Sequence, residues 1–361
     1  MQALSCSTYP RNVSLEILYG CNLYCNYCYV GTDKNHSTPM VPSLEALTRV
    51  LQALKRENVE ELVLIGGEPM LHPRFIDICH TIAELDFPHR GVVTNGTVVS
   101  REKAEALRDG NFWVDVSFRG PDAESFDTIT GKAGTFSKVV NAVLLLSEFG
   151  LSVGIEFDCI PDNYAGLYQA IEMLIGKGAR LKQLQLHRIS PDGDAKHQMN
   201  RFTLGLEQWQ LVFEQAEQIR RDFGIEVIFE DGFPLCLVGP AQRDMVVPCT
   251  CGFTHLTVAP NGDARHCSCQ SDKLGNILKS SLQSIWQDSQ KLEAYRSPAR
   301  LPEPCQECDL VAACRGGCSA SGRDDHGAID AFHQYFKPVK LLDRREVKAK
   351  LIMNQTIVST P

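Results

Sequence analysis

The sequence predicts an α/β fold, in which a partial (β/α)6 barrel of the TIM type is followed by a small cysteine-rich domain. Between residues 14 and 190, short runs rich in Val, Ile and Leu alternate with longer amphipathic segments. This alternation is typical of parallel strands joined by helical crossovers. From residue 234 to residue 318 the chain becomes rich in Cys, Pro and Gly, which indicates a change of architecture.

Six strands and six helices account for the barrel. The strands are predicted at residues 14–19, 61–65, 91–94, 114–117, 152–158 and 183–188. The helices are predicted at residues 43–56, 75–85, 100–108, 135–149, 164–175 and 206–223. Because ligands bind at the carboxyl ends of the strands in such sheets, the loops that follow the strands are the expected site.

Beyond the barrel, the sequence predicts a further strand at residues 225–230 and a β-hairpin around Asn261-Gly262, a pair typical of tight turns. The hairpin strands are predicted at 254–259 and 263–267, and a helix at 280–295. We expect four regions along the chain: the barrel at 1–190, a connecting helix and strand at 191–235, the cysteine-rich domain at 236–340 and a tail at 341–361.

Composition excludes several classes of function. The 36 Lys and Arg residues against 44 Asp and Glu give a net charge of −8, so we expect no nucleic-acid partner. There is no apolar signal segment, and the apolar stretches are far shorter than the ~20 residues of a membrane span, so we expect a cytoplasmic protein without a membrane partner. In that reducing compartment the 15 cysteines favour metal sites over disulfides. Isolated residues such as Cys79 and Cys159 are typical core thiols, and Cys6 has no predicted task.

Three cysteines follow the first strand directly, in the pattern C-x3-C-x2-C formed by Cys21, Cys25 and Cys28. Three thiolates on one loop can hold three irons of a cubane cluster and leave the fourth iron open to a ligand. The alternatives are a zinc site with His36 as the fourth ligand, or three unrelated thiols.

This loop resembles the signature of the radical SAM superfamily. Three further stretches agree with the resemblance, each after a successive strand: Gly66-Gly67-Glu68-Pro69, Thr94-Asn95-Gly96-Thr97 and Ser117-Phe118-Arg119-Gly120. The resemblance implies a 4Fe–4S cluster whose open iron binds S-adenosylmethionine (SAM). The SAM-binding residues that it implies are Tyr27, Gly66, Gly67, Glu68, Pro69, Asn95, Ser117 and Arg188.

Two arginines and three polar residues leave alternatives open. Arg119 stands where relatives often have Asp, so it either meets a substrate carboxylate or is a solvated loop residue. Arg188 binds a carboxylate of SAM or of the substrate, or is a salt-bridged loop residue. Glu156, Asp158 and Asn163, near the end of the fifth strand, are candidates for lining the adenosine pocket.

A second cysteine group lies near the C-terminus, in the spacing C-x2-C-x5-C-x3-C from Cys305 to Cys318. Upstream, Cys251-x10-Gly262-x4-Cys267 spans the predicted hairpin. Together these spacings resemble the SPASM domain, which carries auxiliary iron–sulfur clusters. A zinc ribbon is the competing interpretation. The resemblance covers residues 14–335.

The resemblance also implies ligands for one or two auxiliary clusters. The first auxiliary cluster would take Cys251, Cys267 and Cys318, with a fourth ligand that we expect to be Cys249, the alternatives being Cys236 and Cys269. The second would take Cys305, Cys308 and Cys314. The last cysteine of the family pattern is absent, because no Cys follows Cys318. His333 stands at that position, so we expect His333, another residue or no protein ligand at the fourth iron.

The implied activity is reductive cleavage of SAM to a 5′-deoxyadenosyl radical that abstracts hydrogen from a substrate. SPASM enzymes mostly act on ribosomally made precursor peptides by crosslinking, excision or epimerisation. Because the barrel begins by residue 14, we expect a separate peptide-recognition protein, together with an electron donor such as a flavodoxin or ferredoxin.

Three alternatives remain at this point. One is a small-molecule radical dehydrogenase, and another is a sulfatase-maturase-like enzyme, although Ser268 stands where that subfamily has a catalytic Asp. The third, from another class, is an iron–sulfur electron-transfer subunit, which would have no use for a complete set of SAM-binding motifs.

Overall fold

A computed structural model describes residues 7, 9–31, 41–321 and 330–340 of the chain. Cys6, His36 and the tail from residue 341 lie outside the described residues. One sheet of ten strands has the order β10-β9-β8-β1-β2-β3-β4-β5-β6-β7. The strands are β1 Asn12–Leu18, β2 Glu61–Gly66, β3 His89–Thr94, β4 Trp113–Ser117, β5 Ser152–Asp158, β6 Leu181–His187, β7 Glu226–Phe229, β8 His255–Val258, β9 Asp263–Arg265 and β10 Lys273–Asn276.

Strands β1 to β7 run parallel, which confirms the predicted α/β class. Apolar side chains of β1, including Val13, Leu15 and Ile17, are fully buried. Strands of a parallel sheet are covered on both faces, so they read as nearly continuous apolar runs. That property explains why all six barrel strands were found from the sequence within one or two residues of their ends.

Helices pack against the barrel between successive strands and around the cysteine-rich region. They are α1 Leu44–Arg56, α2 Phe75–Glu84, α3 Arg101–Asp109, α4 Ala123–Thr130, α5 Thr135–Glu148, α6 Leu167–Gly176, α7 Met199–Phe202, α8 Leu206–Phe223, α9 Leu282–Gln287, α10 Gln290–Arg296, α11 Glu303–Gln306 and α12 Val311–Cys314. Side-chain caps begin several of them, as where Ser43 accepts from the amide of Ala46 and Ser100 from that of Lys103. Among the described helices none combines the length and apolarity that a bilayer crossing needs.

Several helices depart from the sequence prediction, since the short helices α4, α7, α11 and α12 were not predicted and one predicted helix is divided. Helix α4 was missed because it is short; Asp122 caps its first turn and Gly131, in the left-handed region at φ 65°, ends it. The single helix predicted at 280–295 is wrong. The chain breaks there into α9 and α10, because Ser289 leaves the helical conformation and caps the amide of Leu292.

The hairpin of the cysteine-rich region is continuous with the barrel sheet. Strands β8 and β9 pair antiparallel around Gly262, as predicted. Strand β8 also pairs parallel with β1, so that Val13 lies opposite both Leu62 of β2 and Leu256 of β8. The sheet therefore connects the two cysteine-rich parts of the chain through β1. The boundaries of the four predicted regions stay a prediction.

An ion pair fastens the hairpin to the barrel interior. Arg265 of β9 reaches Glu16 of β1 at 2.5 Å, and the Glu16 side chain is 1% exposed. Glu16 also accepts a hydrogen bond from the Tyr19 hydroxyl at 3.0 Å. A carboxylate this deeply buried depends on its cationic partner.

Replacing Arg265 by methionine is expected to lower the free energy of unfolding by about 3 kcal/mol, because it leaves the Glu16 carboxylate buried without a cation. Urea unfolding of the full chain measures the change. Arg221, whose side chain is 70% exposed, provides the control, and Arg221→Met is expected to change stability by less than about 0.5 kcal/mol. Equal stabilities for the two variants would contradict the importance of the buried pair.

Candidate active site

Backbone hydrogen bonds hold the first cysteine loop at the carboxyl end of β1. The Cys28 amide donates to the carbonyl of Cys25 at 3.1 Å, so the backbone turns between these two cysteines. On its flanks, the Tyr24 amide donates to Thr130 at 2.9 Å and the Asp194 amide to Cys28 at 3.0 Å. The loop is thus supported by α4 on one side and by the segment after β6 on the other.

The Gly66-Gly67-Glu68 turn lies directly against this loop. The Gly67 amide donates to Leu18 and the Glu68 amide to Gly20, both at 2.9 Å. A Cβ on Gly66 would lie 2.1 Å from the Leu18 carbonyl oxygen, and one on Gly67 would lie 2.3 Å from that of Tyr19. Only glycine permits this backbone approach, which explains the motif in physical terms.

Glu68 is fully buried at the centre of the predicted site. Its carboxylate accepts from the Met70 amide at 3.0 Å, the Thr94 hydroxyl at 2.7 Å and the Asn95 amide at 2.6 Å. Burial raises the pKa of Glu68, whereas these three donors oppose the shift. No cationic side chain within the described ranges forms an ion pair with this carboxylate, so the site fits a ligand that brings its own positive charge, such as the ammonium of SAM.

Asn95 connects the third strand loop to the cysteine loop. The side-chain Nδ2 of Asn95 donates to the side-chain oxygen of Asn22 at 3.0 Å and lies 3.6 Å from the Cys21 sulfur. Asn22 in turn donates to the hydroxyl of Thr97 at 2.8 Å. The structure therefore brings together three of the loops that the sequence singled out, and Asn95 lies between the Glu68 carboxylate and a cluster thiol.

Two thiols of the loop, those of Cys21 and Cys25, have raised pKa values. Burial raises the pKa of Cys21 to about 11 and that of Cys25 to about 12. Metal binding requires thiolates, so loading a cluster releases these protons and replaces them with the charge of iron. The donor set of three soft sulfurs fits an iron–sulfur cluster. The zinc alternative depends on His36, outside the described residues.

Of the two interpretations offered for Arg119, the structure contradicts the solvated loop residue, and contact with a substrate carboxylate stays a prediction. The Arg119 guanidinium pairs with Asp158, and its side chain is 14% exposed, so it is not a solvated loop residue. It also lies 5.6 Å from the ring centroid of Tyr27. Asn163 donates to the Arg119 carbonyl at 3.0 Å, and the Ser117 hydroxyl donates to Glu156 at 3.3 Å. These contacts order the wall that the sequence assigned to adenosine.

The prediction that Arg188 binds SAM requires a correction, because its guanidinium is bonded to other parts of the protein. Its guanidinium donates to Asp330 at 2.7 and 3.2 Å and to the Gly232 carbonyl at 2.8 Å. The side chains of Arg188 and Asp330 are 7% and 0% exposed, and Arg188 also stacks over Phe233 at 5.0 Å. Arg188 joins the barrel to the C-terminal region, which is the salt-bridged alternative named for it above and does not fit a SAM ligand.

Several titratable side chains lie on β4, at the end of β6 and just after β7, and the sequence analysis did not predict them as a group. Asp115 is buried and accepts from Gln185 at 2.6 Å. Burial alone would lower the pKa of His187, but the Asp231 carboxylate at 3.3 Å raises it to about 10. The sequence signal for these groups was the presence of polar residues on otherwise apolar central strands. Groups with shifted pKa values of this kind are suited to proton transfer.

The cysteines between residues 236 and 318 separate into two sets in space. In the first set, thiol contacts join Cys249 to Cys251, Cys251 to Cys267, and Cys267 to Cys269. The Cys318 thiol lies within electrostatic range of Cys249 and Cys267. The structure thus brings together the four residues predicted for the first auxiliary cluster, with Cys269 as a fifth neighbour.

In the second set the three predicted ligands lie together, but His333 is not with them. Cys305, Cys308 and Cys314 line a shallow pocket that is open to solvent, and the fourth cysteine on its wall is Cys236. His333 is not on this wall: its side chain is exposed, and its Nδ1 lies 3.1 Å from the Asp330 carbonyl. The short turn His333–Tyr335 directs Phe336 and Lys337, rather than the imidazole, to the pocket.

Comparisons with known proteins agree with this architecture. The model of the radical SAM superfamily matches residues 15–174, and that of an iron–sulfur cluster-binding domain, SPASM, matches residues 249–309. The subtilosin biosynthesis protein AlbA of Bacillus subtilis is 24% identical over 87% of this chain and 68% of its own length. The mycofactocin maturase MftC of Mycolicibacterium smegmatis is 28% identical over 86% of this chain and 79% of its own.

Solved structures share the fold. Streptococcus suis SuiB bound to S-adenosylmethionine superposes with a TM-score of 0.71 at 16% identity, covering 91% of this chain and 78% of SuiB. Native anSMEcpe with bound AdoMet gives a TM-score of 0.68 at 19% identity, covering 96% and 100% of the two chains. Fold and thiol sets together define a barrel enzyme of iron–sulfur chemistry. The chain belongs to the radical SAM superfamily and carries a SPASM domain, so its cofactors are a 4Fe–4S cluster, SAM and auxiliary clusters.

Gly67→Ala is expected to weaken SAM binding by about tenfold or more, because the new Cβ displaces the turn that holds Glu68 against the cysteine loop. Anaerobic equilibrium dialysis with labelled SAM measures the dissociation constant. Gly176→Ala is the matched control, since no atom lies within 4 Å of a Cβ built there. Wild-type affinity in Gly67→Ala would show that the close approach does not support the SAM site.

Proposed function

We propose that this enzyme modifies a ribosomally made precursor peptide, by forming a crosslink, excising residues or epimerising. The observation that supports the proposal is that relatives named as peptide maturases align with it over most of its length. One of them, the PqqA peptide cyclase of Granulibacter bethesdensis, is 23% identical over 86% of this chain and 82% of its own length.

In the proposal, the residues at the carboxyl end of β1 assemble the reactive site. Cys21, Cys25 and Cys28 would hold the cluster, and three thiolates would leave one iron available to SAM. When bound, the cluster and SAM together supply hydrogen-atom abstraction from an unactivated C–H bond. The protein provides position and electrostatics around that chemistry.

Glu68 and Asn95 have distinct tasks in this proposal. The Glu68 carboxylate, held rigidly by three donors, pairs with the SAM ammonium, which offsets the cost of burying its charge. Asn95 donates to Cys21 and lowers the charge density on that sulfur. Tyr27, 6% exposed and packed edge-on against Phe202, forms an apolar wall for the adenine, beside the ion pair of Arg119 and Asp158.

Two partners belong to the proposal. Each turnover begins with one electron, so a flavodoxin or ferredoxin is proposed as the donor. A separate protein is proposed to recognise the precursor leader. Tight leader binding by this chain alone, measured by pull-down, would argue against such a recognition protein.

The radical chemistry is tested with reconstituted protein, dithionite and SAM, followed by quantification of 5′-deoxyadenosine. Wild-type protein is expected to form it, and Cys25→Ala is expected to reduce it to background because one iron loses its protein ligand. Cys79→Ala removes a buried thiol of α2 that faces the core, and it is expected to retain activity. No 5′-deoxyadenosine from wild-type protein under any condition would favour the electron-transfer alternative.

The peptide substrate is tested by mass spectrometry of candidate precursor peptides after turnover. A mass change that depends on SAM and is absent with Cys25→Ala is the expected result. A loss of about two hydrogens would indicate a crosslink, and unchanged mass with deuterium incorporation from solvent would indicate epimerisation. Formation of 5′-deoxyadenosine with small molecules but with no peptide would favour the dehydrogenase alternative.

A further inference from the structure

We propose that Cys236 is the fourth ligand of the second auxiliary cluster, so that Cys236, Cys305, Cys308 and Cys314 form a complete four-cysteine site. The family pattern takes its last cysteine from the segment after Cys318. In this chain the ligand comes from the opposite direction, before the hairpin, and from outside the 249–309 match to the domain model. The inference concerns a metal site and is independent of which substrate the enzyme takes.

The first argument is position. Cys236 lies in the short turn Leu235–Leu237, which follows Phe233 and Pro234 at the end of the barrel segment. Its thiol lines the same pocket as the other three thiols, although 69 residues or more separate it from them in sequence. The rest of the wall is mostly apolar, with Leu310, Val311 and Phe336 among its residues. Such a wall shields one side of a cluster from water and influences its potential.

The second argument is the pattern of hydrogen bonds to sulfur. The Leu235 amide donates to the Cys314 sulfur at 3.3 Å, and the Val339 amide donates to the Cys308 sulfur at 3.4 Å. The Lys337 amide donates to the Cys236 sulfur. Backbone donors aimed at sulfur are a common feature of iron–sulfur sites, where they stabilise ligating thiolates. The Cys236 sulfur therefore accepts a backbone hydrogen bond, as do the sulfurs of two of the three expected ligands.

The third argument is that the turn bearing Cys236 is rigidly held. The Arg243 side chain is buried, and its Nε donates to the carbonyls of Leu235 at 3.2 Å and Val238 at 3.3 Å. The same turn therefore carries the Cys236 thiol and the Leu235 amide that donates to the Cys314 sulfur. Fixed ligand geometry is what a metal site requires of its protein.

The fourth argument is that the four thiols face a common space. The four thiols border a shared space and lie within electrostatic range of one another, as the interactions of Cys305 with Cys236, Cys308 and Cys314 illustrate. Four thiols around one space are the ligand set that a four-cysteine iron–sulfur cluster requires.

The experiment uses the full chain with Cys21, Cys25 and Cys28 changed to Ala, which leaves only the auxiliary sites to load. After anaerobic reconstitution, iron and sulfide per chain, Mössbauer spectra and EPR spectra are compared for Cys236→Ala, Cys236→Ser, Cys305→Ala, His333→Ala and Cys79→Ala. These readouts need neither peptide nor SAM, so their result is distinct from the outcome for the proposed function.

Cys236→Ala is expected to lose between about one and four irons per chain and to alter the spectrum of one cluster, as Cys305→Ala does. Cys236→Ser is expected to retain iron with a shifted spectrum, because an alkoxide oxygen replaces the sulfur. His333→Ala and Cys79→Ala are expected to match the parent.

Parental iron content and spectra in Cys236→Ala would overturn the assignment, and so would a changed spectrum in His333→Ala alone. If Cys236→Ala does not fold, Cys236→Ser decides: a spectrum identical to the parent overturns the proposal, and a shifted spectrum of one cluster supports it.

Discussion

The position of β1 within the sheet is the constraint on which the rest of the site depends. Its backbone pairs in parallel with β2 on one side and with β8 on the other. Its carboxyl end carries the three-cysteine loop, β2 ends in the Gly-Gly-Glu turn, and β8 leads through the hairpin to Cys267. A slip of one residue in either ladder would reverse the faces of an entire strand. The hydrogen-bond register of β1 therefore fixes the three-cysteine loop and the Gly-Gly-Glu turn relative to the cysteines of the C-terminal region.

Two buried ion pairs reinforce this register from different directions. Arg265 reaches Glu16 inside β1, while Arg188, after β6, reaches Asp330 near the C-terminal end of the described chain. Asp330 also accepts from the amides of Cys318 at 2.8 Å and Phe332 at 2.9 Å. A carboxylate with this many donors is satisfied in the absence of water. The position of the Cys318 thiol is thereby determined from the barrel side.

The sequence predicts well whatever depends on local periodicity or on a compact motif. The parallel strands are apolar on both faces, and the loop residues Cys21, Glu68 and Asn95 follow strand ends, so topology alone brings them together. The partners of Arg188 and Cys236 could not be obtained in this way. Asp330 lies 142 residues from Arg188, and such contacts are decided by tertiary packing, to which neither periodicity nor spacing is sensitive.

Cys236 illustrates how spacing can mislead about a ligand set. A pattern read along the chain looked for the missing ligand after Cys318, where His333 stands, and assigned Cys236 only to the other cluster. The fold places the turn after β7 beside the C-terminal cysteines instead, and Phe233 packs against Phe332 at 5.6 Å in the same region. With Cys236 as a ligand, the cluster itself would join the segment after β7 to helices α11 and α12. Metal loading would then stabilise the contact between the barrel and the cysteine-rich region, because binding energy realised only in the assembled site adds to folding.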